Sequence, residues 1–207
     1  AIDAAMAAHK EWADTPWVDR ASVMIKIAAL LAGKYRYEMN AATMLGQAKT
    51  TMQAEIDSAC EAIDFFKFNV HYASQIYADQ PISDAGTLNR VEYRPLEGFV
   101  FAITPFNFTS IASNLCMSPV LMGNTCIWKP STTSLLSNYV LMKIYKEAGL
   151  PDGVVNFLPG SGTTIGKVAF ASPHLAGVHF TGSTKTFNSF WKTIGDNIGN
   201  YRTYPKI

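Results

Sequence analysis

No stretch of this 207-residue chain approaches the roughly 18 to 20 consecutive apolar residues needed to cross a bilayer. Its first residues also lack the basic-then-apolar pattern of a secretory leader, so a soluble chain with no membrane partner is expected. An excess of one charge is missing too: 17 Lys and Arg face 16 Asp and Glu, a formal charge of +1, which gives no electrostatic case for nucleic acid. Cysteine is scarce. Cys60, Cys116 and Cys126 are odd in number and show no Cys-x-x-Cys spacing, which argues against a disulfide framework or a zinc site and for a reducing, intracellular compartment. His9, His71, His174 and His179 are scattered, and no metal site is expected. A chain of this length can bury a sizeable core, and its natural partner is a small molecule. It opens at Ala1 within a helical pattern and stops at Ile207 after a polar turn, so both ends are expected to be cut from something longer.

Residues 1–80 read as helical. Val23, Met24, Ile27, Leu30 and Leu31 lay one apolar stripe along a helix from Arg20 to Met39, with Thr15-Pro16 as the break before it. Met52, Ile56, Ala59, Ile63, Phe66 and Val70 repeat the pattern in a second long helix. Between them, Gly46-Gln-Ala-Lys-Thr50 faintly echoes a phosphate loop, but it has no second glycine and no preceding strand. Residues 81–98 change character, with Pro81, Gly86 and Asn89 as turn residues and Val91-Glu-Tyr-Arg-Pro95 alternating with period two. A protruding β-hairpin or edge strand is expected there, covered by another subunit because an unpaired edge invites pairing.

From Phe99 onward, strands and helices alternate, which predicts an α/β fold, a Rossmann-like parallel sheet flanked by helices. The expected strands are Phe99 to Thr104, Asn124 to Trp128, Val154 to Leu158 and Leu175 to Phe180. Each ends in polar or glycine-rich residues that start a helix: Pro105-Phe-Asn-Phe-Thr-Ser110, with Thr109 and Ser110 as N-caps, then Lys129-Pro-Ser131, Gly160-Ser-Gly162 and Thr181-Gly-Ser183. All four ends should fall on one sheet edge. In open α/β sheets that edge is where ligands bind, and helix N-termini attract phosphate. A dinucleotide is the leading ligand.

Individual residues carry this with different force. Gly160, Gly162 and Gly166 are spaced G-x-G-x-x-x-G, one residue longer than the dinucleotide fingerprint, and a plain flexible loop is the competing reading. Lys129 can offer a cation aimed by Pro130, or be a solvated surface lysine. Ser183 is an N-cap in either account. Asn107 can close an Asx-turn on its own backbone or act as an oxyanion donor, a role typically worth about 2.7 to 4 kcal/mol to a transition state. Tyr139 and Lys143 have the spacing of the short-chain dehydrogenase pair, but they follow the first strands in the wrong order, and Tyr139 is expected on the apolar stripe of its helix.

The motifs Thr104-Pro-Phe-Asn-Phe108, Trp128-Lys-Pro-Ser131, Pro159-Gly-Ser-Gly-Thr-Thr-Ile-Gly166 and Phe180-Thr-Gly-Ser183, in that order, together resemble the aldehyde dehydrogenase superfamily. Met44-Leu-Gly-Gln-Ala-Lys-Thr50, Gln53-Ala-Glu-Ile-Asp57, Ile63-Asp-Phe-Phe66 and Tyr93-Arg-Pro-Leu-Glu-Gly-Phe99 are similar to its branch acting on L-glutamate γ-semialdehyde, and the resemblance runs over essentially the whole chain. It implies oxidation of that semialdehyde to glutamate with NAD+ in proline catabolism, by a homo-oligomer in the bacterial cytoplasm or the mitochondrial matrix. It also implies roles: Asn107 holds the aldehyde oxygen, Phe108 packs on the substrate chain, and Glu61 lies near its ammonium. Thr104, Pro105, Phe106, Lys129, Pro130, Ser131, Gly162, Gly166, Phe180, Gly182 and Ser183 contact the cofactor, with Lys129 at the adenosine ribose.

The resemblance divides the chain into a helical part of the cofactor domain at 1–80, protruding oligomerisation strands at 81–98, and an incomplete dinucleotide-binding region at 99–207. The resemblance also implies that the family's cysteine nucleophile and glutamate base lie beyond Ile207; Cys60 and Cys116 fall in helices and Cys126 in a strand, so none of them is expected to be that nucleophile. The chain alone is therefore expected to be inactive. The competing class is a non-catalytic dinucleotide-binding module.

Overall fold

The computed structural model describes residues 1–207. The amino-terminal part is helical, as its apolar spacing dictates: α1 Ile2–Asp14, α2 Trp17–Ala32, α3 Arg36–Gln47, α4 Thr51–Ala54 and α5 Ala62–Ala78. The break at Thr15-Pro16 is where the sequence puts it. The single helix expected from Arg20 to Met39 is in fact two, because the chain turns at Gly33–Tyr35. Its stripe survives in α2, which buries Met24, Ile27 and Leu31.

Between α4 and α5 the helix does not break but widens, with Glu55–Glu61 forming a π-helix. The wider turn shifts the helical phase, so Met52 and Ile56 are exposed although the period of α5 would place them on the buried face. Ala54, Asp57, Ser58, Ala59 and Ala62 face inward instead. A π-turn inside a helix is uncommon and frequently sits at a functional site.

Residues 81–98 correct a prediction. The segment does reverse direction, with Thr87 N donating to Asp84 O at 3.0 Å, but no strand forms. Its two legs are held by side chains: Val91 N donates to Gln80 Oε1 at 2.9 Å, and Asn89 Nδ2 donates to Ile82 O at 2.8 Å. Residues 81–92 are all exposed, and a two-stranded ribbon with nothing packed on it is marginal in water.

The α/β part follows the sequence closely, with β1 Phe99–Ile103, α6 Thr109–Leu121, β2 Thr125–Lys129, α7 Leu135–Ala148, β3 Val155–Phe157, α8 Gly162–Ala171, β4 Leu175–Phe180 and α9 Thr184–Asp196. Gly149, at φ +95°, ends α7 in the left-handed region that a glycine tolerates. All four strands are parallel, in the order β3-β2-β1-β4. Tyr139 is 58% exposed, off the buried stripe of α7. Its partner in the short-chain dehydrogenase reading, Lys143, pairs with Glu38 at 2.6 Å.

Alternation along the strands sends side chains to two unequal cores. Ala102, Cys126 and Trp128 join a large core with α2, α5, α6 and α7. Phe99, Phe101 and Ile127 point the other way, where only Ala5, Ala169, Phe170, Leu175 and Ile194 complete a smaller cluster.

Candidate active site

The strand register brings the predicted ends together. Ile103 pairs with Lys129 on one side and with Phe180 on the other, and Trp128 pairs with Phe157. The polar residues after β1, β2, β3 and β4 therefore start from one sheet edge. Two clusters form there.

The first is a groove of about 710 Å³ on the thinly covered sheet face, between α8 and α9. Phe101, Ile103, Phe170 and Phe190 supply apolar walls, while Lys129, Thr186 and Thr193 supply polar groups. Gly162 and Gly166 also line it. Without a side chain at Gly162, the Lys129 stem lies over bare backbone, Cε and Nζ being 3.8 and 3.9 Å from where a Cβ would stand. Lys129 makes no ion pair within the chain, and burial pushes its ammonium below the ordinary lysine value. A half-buried cation without an anion, beside two helix N-termini, is suited to a ligand that carries phosphate.

Other predicted residues shape this edge rather than line the groove. Ser183 caps α9, accepting from Thr186 N at 3.2 Å. Gly182 is where the Phe180 ring folds over the backbone: a Cβ there would stand 2.4 Å from Phe180 Cζ. The Thr104 hydroxyl is used internally, accepting from the Trp128 indole at 3.0 Å. Pro130 is buried and Ser131 half-buried, with Ser131 Oγ 3.3 Å from Thr133 Oγ1. Phe106 is 63% exposed.

The second cluster gathers round Asn107. This residue lies on an exposed bend just past β1, and its side-chain amide makes no hydrogen bond within the chain, so the Asx-turn alternative is not realised. Thr109 and Ser110 do not cap α6 themselves. The N-cap position falls on Phe108, which offers no side-chain acceptor, and the π-helix supplies one instead: Asp57 accepts from Thr109 N and Ser110 N, each at 3.4 Å. Ser110 Oγ also lies 2.9 Å from Asp57 Oδ1 and 2.6 Å from Glu61 Oε2. Lys49 completes the group. Its ammonium pairs with Asp57 at 2.5 Å, donates to the Asn107 carbonyl, and lies 4.2 Å from the centroid of the Phe108 ring.

Lys49 thus ties Asn107 to Phe108, and Ser110 joins Glu61 to Asp57; Lys49 and Asp57 are residues to which sequence reasoning gave no role. The signal for them was weak. Lys49 and Asp57 stood in stretches that carry the family resemblance, and Lys49 also in a phosphate-loop echo, but neither was given a role, and a π-turn has no glycine or proline to announce it. Burial pushes the Cys116 thiol up to about 12 and that of Cys126 well above its ordinary value. Cys60 is exposed, beside Arg36 and Glu55.

A parallel sheet with every strand ending at a polar, glycine-bearing edge, a groove on one face and an unengaged amide beside it, defines an α/β ligand-binding unit. The profile of the aldehyde dehydrogenase family matches residues 1–202, and the chain belongs to that family. It is 54% identical over 210 residues to the probable delta-1-pyrroline-5-carboxylate dehydrogenase of Schizosaccharomyces pombe, covering 100% of this chain and 38% of the relative. With the mouse (Mus musculus) mitochondrial delta-1-pyrroline-5-carboxylate dehydrogenase it shares 49% over 207 residues, 100% of this chain and 37% of the relative. The crystal structure of the delta-pyrroline-5-carboxylate dehydrogenase from Mycobacterium tuberculosis bound with NAD superposes with a TM-score of 0.98 at 55% identity, covering 100% of this chain and 39% of that one. The chain therefore spans less than two fifths of the length of these relatives.

Proposed function

We propose that this chain is the NAD-binding, amide-bearing part of an aldehyde dehydrogenase that oxidises L-glutamate γ-semialdehyde to L-glutamate. The observation that carries this reading is the in-register convergence of Ile103, Lys129 and Phe180, which sets the groove and Asn107 on one sheet edge. The substrate is suggested by the relatives, whose similarity extends over the whole chain.

The groove residues fit a dinucleotide on physical grounds. Its volume is in the range of small-molecule sites, Lys129 offers an unpaired cation, and Gly162 and Gly166 let a ligand approach the backbone. When bound, NAD+ would supply the hydride acceptor. Lys129 would hold the adenosine part, and the capped start of α9 at Ser183 would face phosphate. Asn107 would donate its amide N–H to the aldehyde oxygen, where negative charge develops, at no cost of breaking an internal bond. Phe108 would cover the aliphatic chain of the substrate, and Glu61 would face its ammonium. Cys116 and Cys126 are buried and Cys60 sits beside Arg36 and Glu55, and in this reading the nucleophile would come from elsewhere in the complete enzyme. Residues 81–98, exposed throughout 81–92 and without a ladder of their own, would be covered by a second copy of the protein. The relatives from eukaryotes named mitochondrial support a mitochondrial compartment in a eukaryote, which we take to be the matrix, with the cytoplasm as its counterpart in a bacterium.

The test is to assay the full-length protein with L-glutamate γ-semialdehyde and NAD+, following glutamate and NADH together. Equimolar formation of both is expected. Absence of glutamate, with NAD still bound in a fluorescence titration, would instead make this a dinucleotide-binding module without that chemistry.

A further inference from the structure

An amide can stabilise developing charge only if it is already aimed when charge appears, and an amide on an exposed bend is not aimed by itself. Asn107 has no side-chain bond within the chain, yet the backbone is held at Asn107, Thr109 and Ser110, and the ring of Phe108 between them is held as well. Lys49 donates to the carbonyl of Asn107 and lies 4.2 Å from the Phe108 ring centroid. Asp57 accepts from the N–H groups of Thr109 and Ser110, both at 3.4 Å. The two holders are themselves joined at 2.5 Å, with side chains only 14% and 3% exposed. Ala48, just before Lys49, is in the left-handed region at φ 51°, a conformation unfavourable for a residue with a Cβ; it forms the C-cap of α3 and turns the chain toward Lys49. An ion pair this deep pays heavily in lost hydration, and here its remaining hydrogen-bonding capacity is directed at one stretch of backbone.

We infer that Lys49 and Asp57 are a positioning pair that fixes the aim of the Asn107 amide, acting on turnover only through that residue. The inference rests on the reading of Asn107 as the donor to the aldehyde oxygen. A pair that merely capped α6 would alter stability and leave the contribution of Asn107 intact, whereas a positioning pair is thermodynamically coupled to Asn107.

The experiment is a double-mutant cycle in the full-length enzyme, with Lys49→Met, Asn107→Ala and their combination. kcat, KM, the Kd for NAD by fluorescence titration, and Tm are measured for each. Lys49→Met should lower kcat by about 10- to 100-fold, the scale of a misplacement near 1 Å, with the Kd for NAD unchanged and any rise in KM, from the lost contact with Phe108, smaller than the fall in kcat. In the Asn107→Ala background the same substitution should change kcat by less than about twofold, because coupled residues are not additive. Asp57→Asn keeps the shape of the side chain, and it should show the same non-additivity with a smaller loss if Lys49→Met does not fold. A loss that multiplies undiminished in the Asn107→Ala background overturns the positioning role, as does full kcat in Lys49→Met. Should Asn107→Ala alone retain full kcat, the donor reading itself fails and takes this inference with it.

Discussion

At the carboxyl end of β1, Lys49 and Asp57 hold the backbone at Asn107, Thr109 and Ser110, and Lys49 also lies against the Phe108 ring. At the end of β2, the Lys129 ammonium has no anion of its own and lies over the bare backbone of Gly162. These neighbouring places on one sheet edge follow opposite physical plans. A donor to a reacting carbonyl must not reorganise, so its surroundings are internally satisfied. A groove that admits and releases a charged ligand needs the reverse, a charge the fold leaves unanswered. The two sheet faces show the same contrast, since the large core seals one and the smaller cluster leaves the other partly uncovered.

The comparison breaks first at its rigid end. In the full-length enzyme Asn107→Ala should lower kcat by roughly 10²- to 10³-fold with NAD affinity nearly intact. Unchanged turnover in a stopped-flow assay would remove Asn107 from the chemistry.

Lys129→Met addresses the open end, and should weaken NAD binding about tenfold or more, the scale of a charge-assisted hydrogen bond. It should also raise the Tm of the ligand-free protein. Because burial lowers the pKa of Lys129 in the folded chain, the unfolded chain holds more protons between the lowered value and the ordinary one, and stability rises with pH across that window. The gain from Lys129→Met should accordingly be largest at neutral pH and shrink toward the ordinary lysine range. A pH-independent change in Tm would contradict this.

Glu61→Gln should raise KM several-fold for the ammonium-bearing semialdehyde, and less for a plain aliphatic aldehyde. Equal changes would reduce Glu61 to a partner of Ser110. The smallest effect belongs to Ala48→Gly. It relieves a left-handed residue at a cost in unfolded-state entropy, and the two terms nearly cancel. Chemical denaturation should show a shift within about 1 kcal/mol and no change in NAD affinity.

Much of this was legible in the sequence. The strands from Phe99 to Phe180 could be placed because short apolar runs between glycine, proline and helix-starting residues admit few other readings, and their common edge followed from parallel topology. Ser183 and Gly149 announced themselves by local chemistry that acts within a few residues. The failures are non-local. Thr109 and Ser110 look like caps, but the acceptor that caps α6 is Asp57, about fifty residues away in the chain. The strands expected at 81–98 had the right alternation but no neighbour to pair with. Met52 and Ile56 fit a 3.6-residue period that the π-helix interrupts, and nothing in Glu55–Glu61 advertises the change.

That π-helix has a consequence for the length of the chain as well as for its residues. Successive α-helical residues are about 100° apart around the axis. Removing one residue from Glu55–Glu61 would let the segment relax to an ordinary α-helix without breaking it. Everything on its amino-terminal side would then swing by about that angle relative to α5. Asp57 and Glu61 could no longer both meet Ser110, and Lys49 would be carried away from Phe108. A single-residue deletion that keeps the helix continuous would by itself dismantle the setting of Asn107.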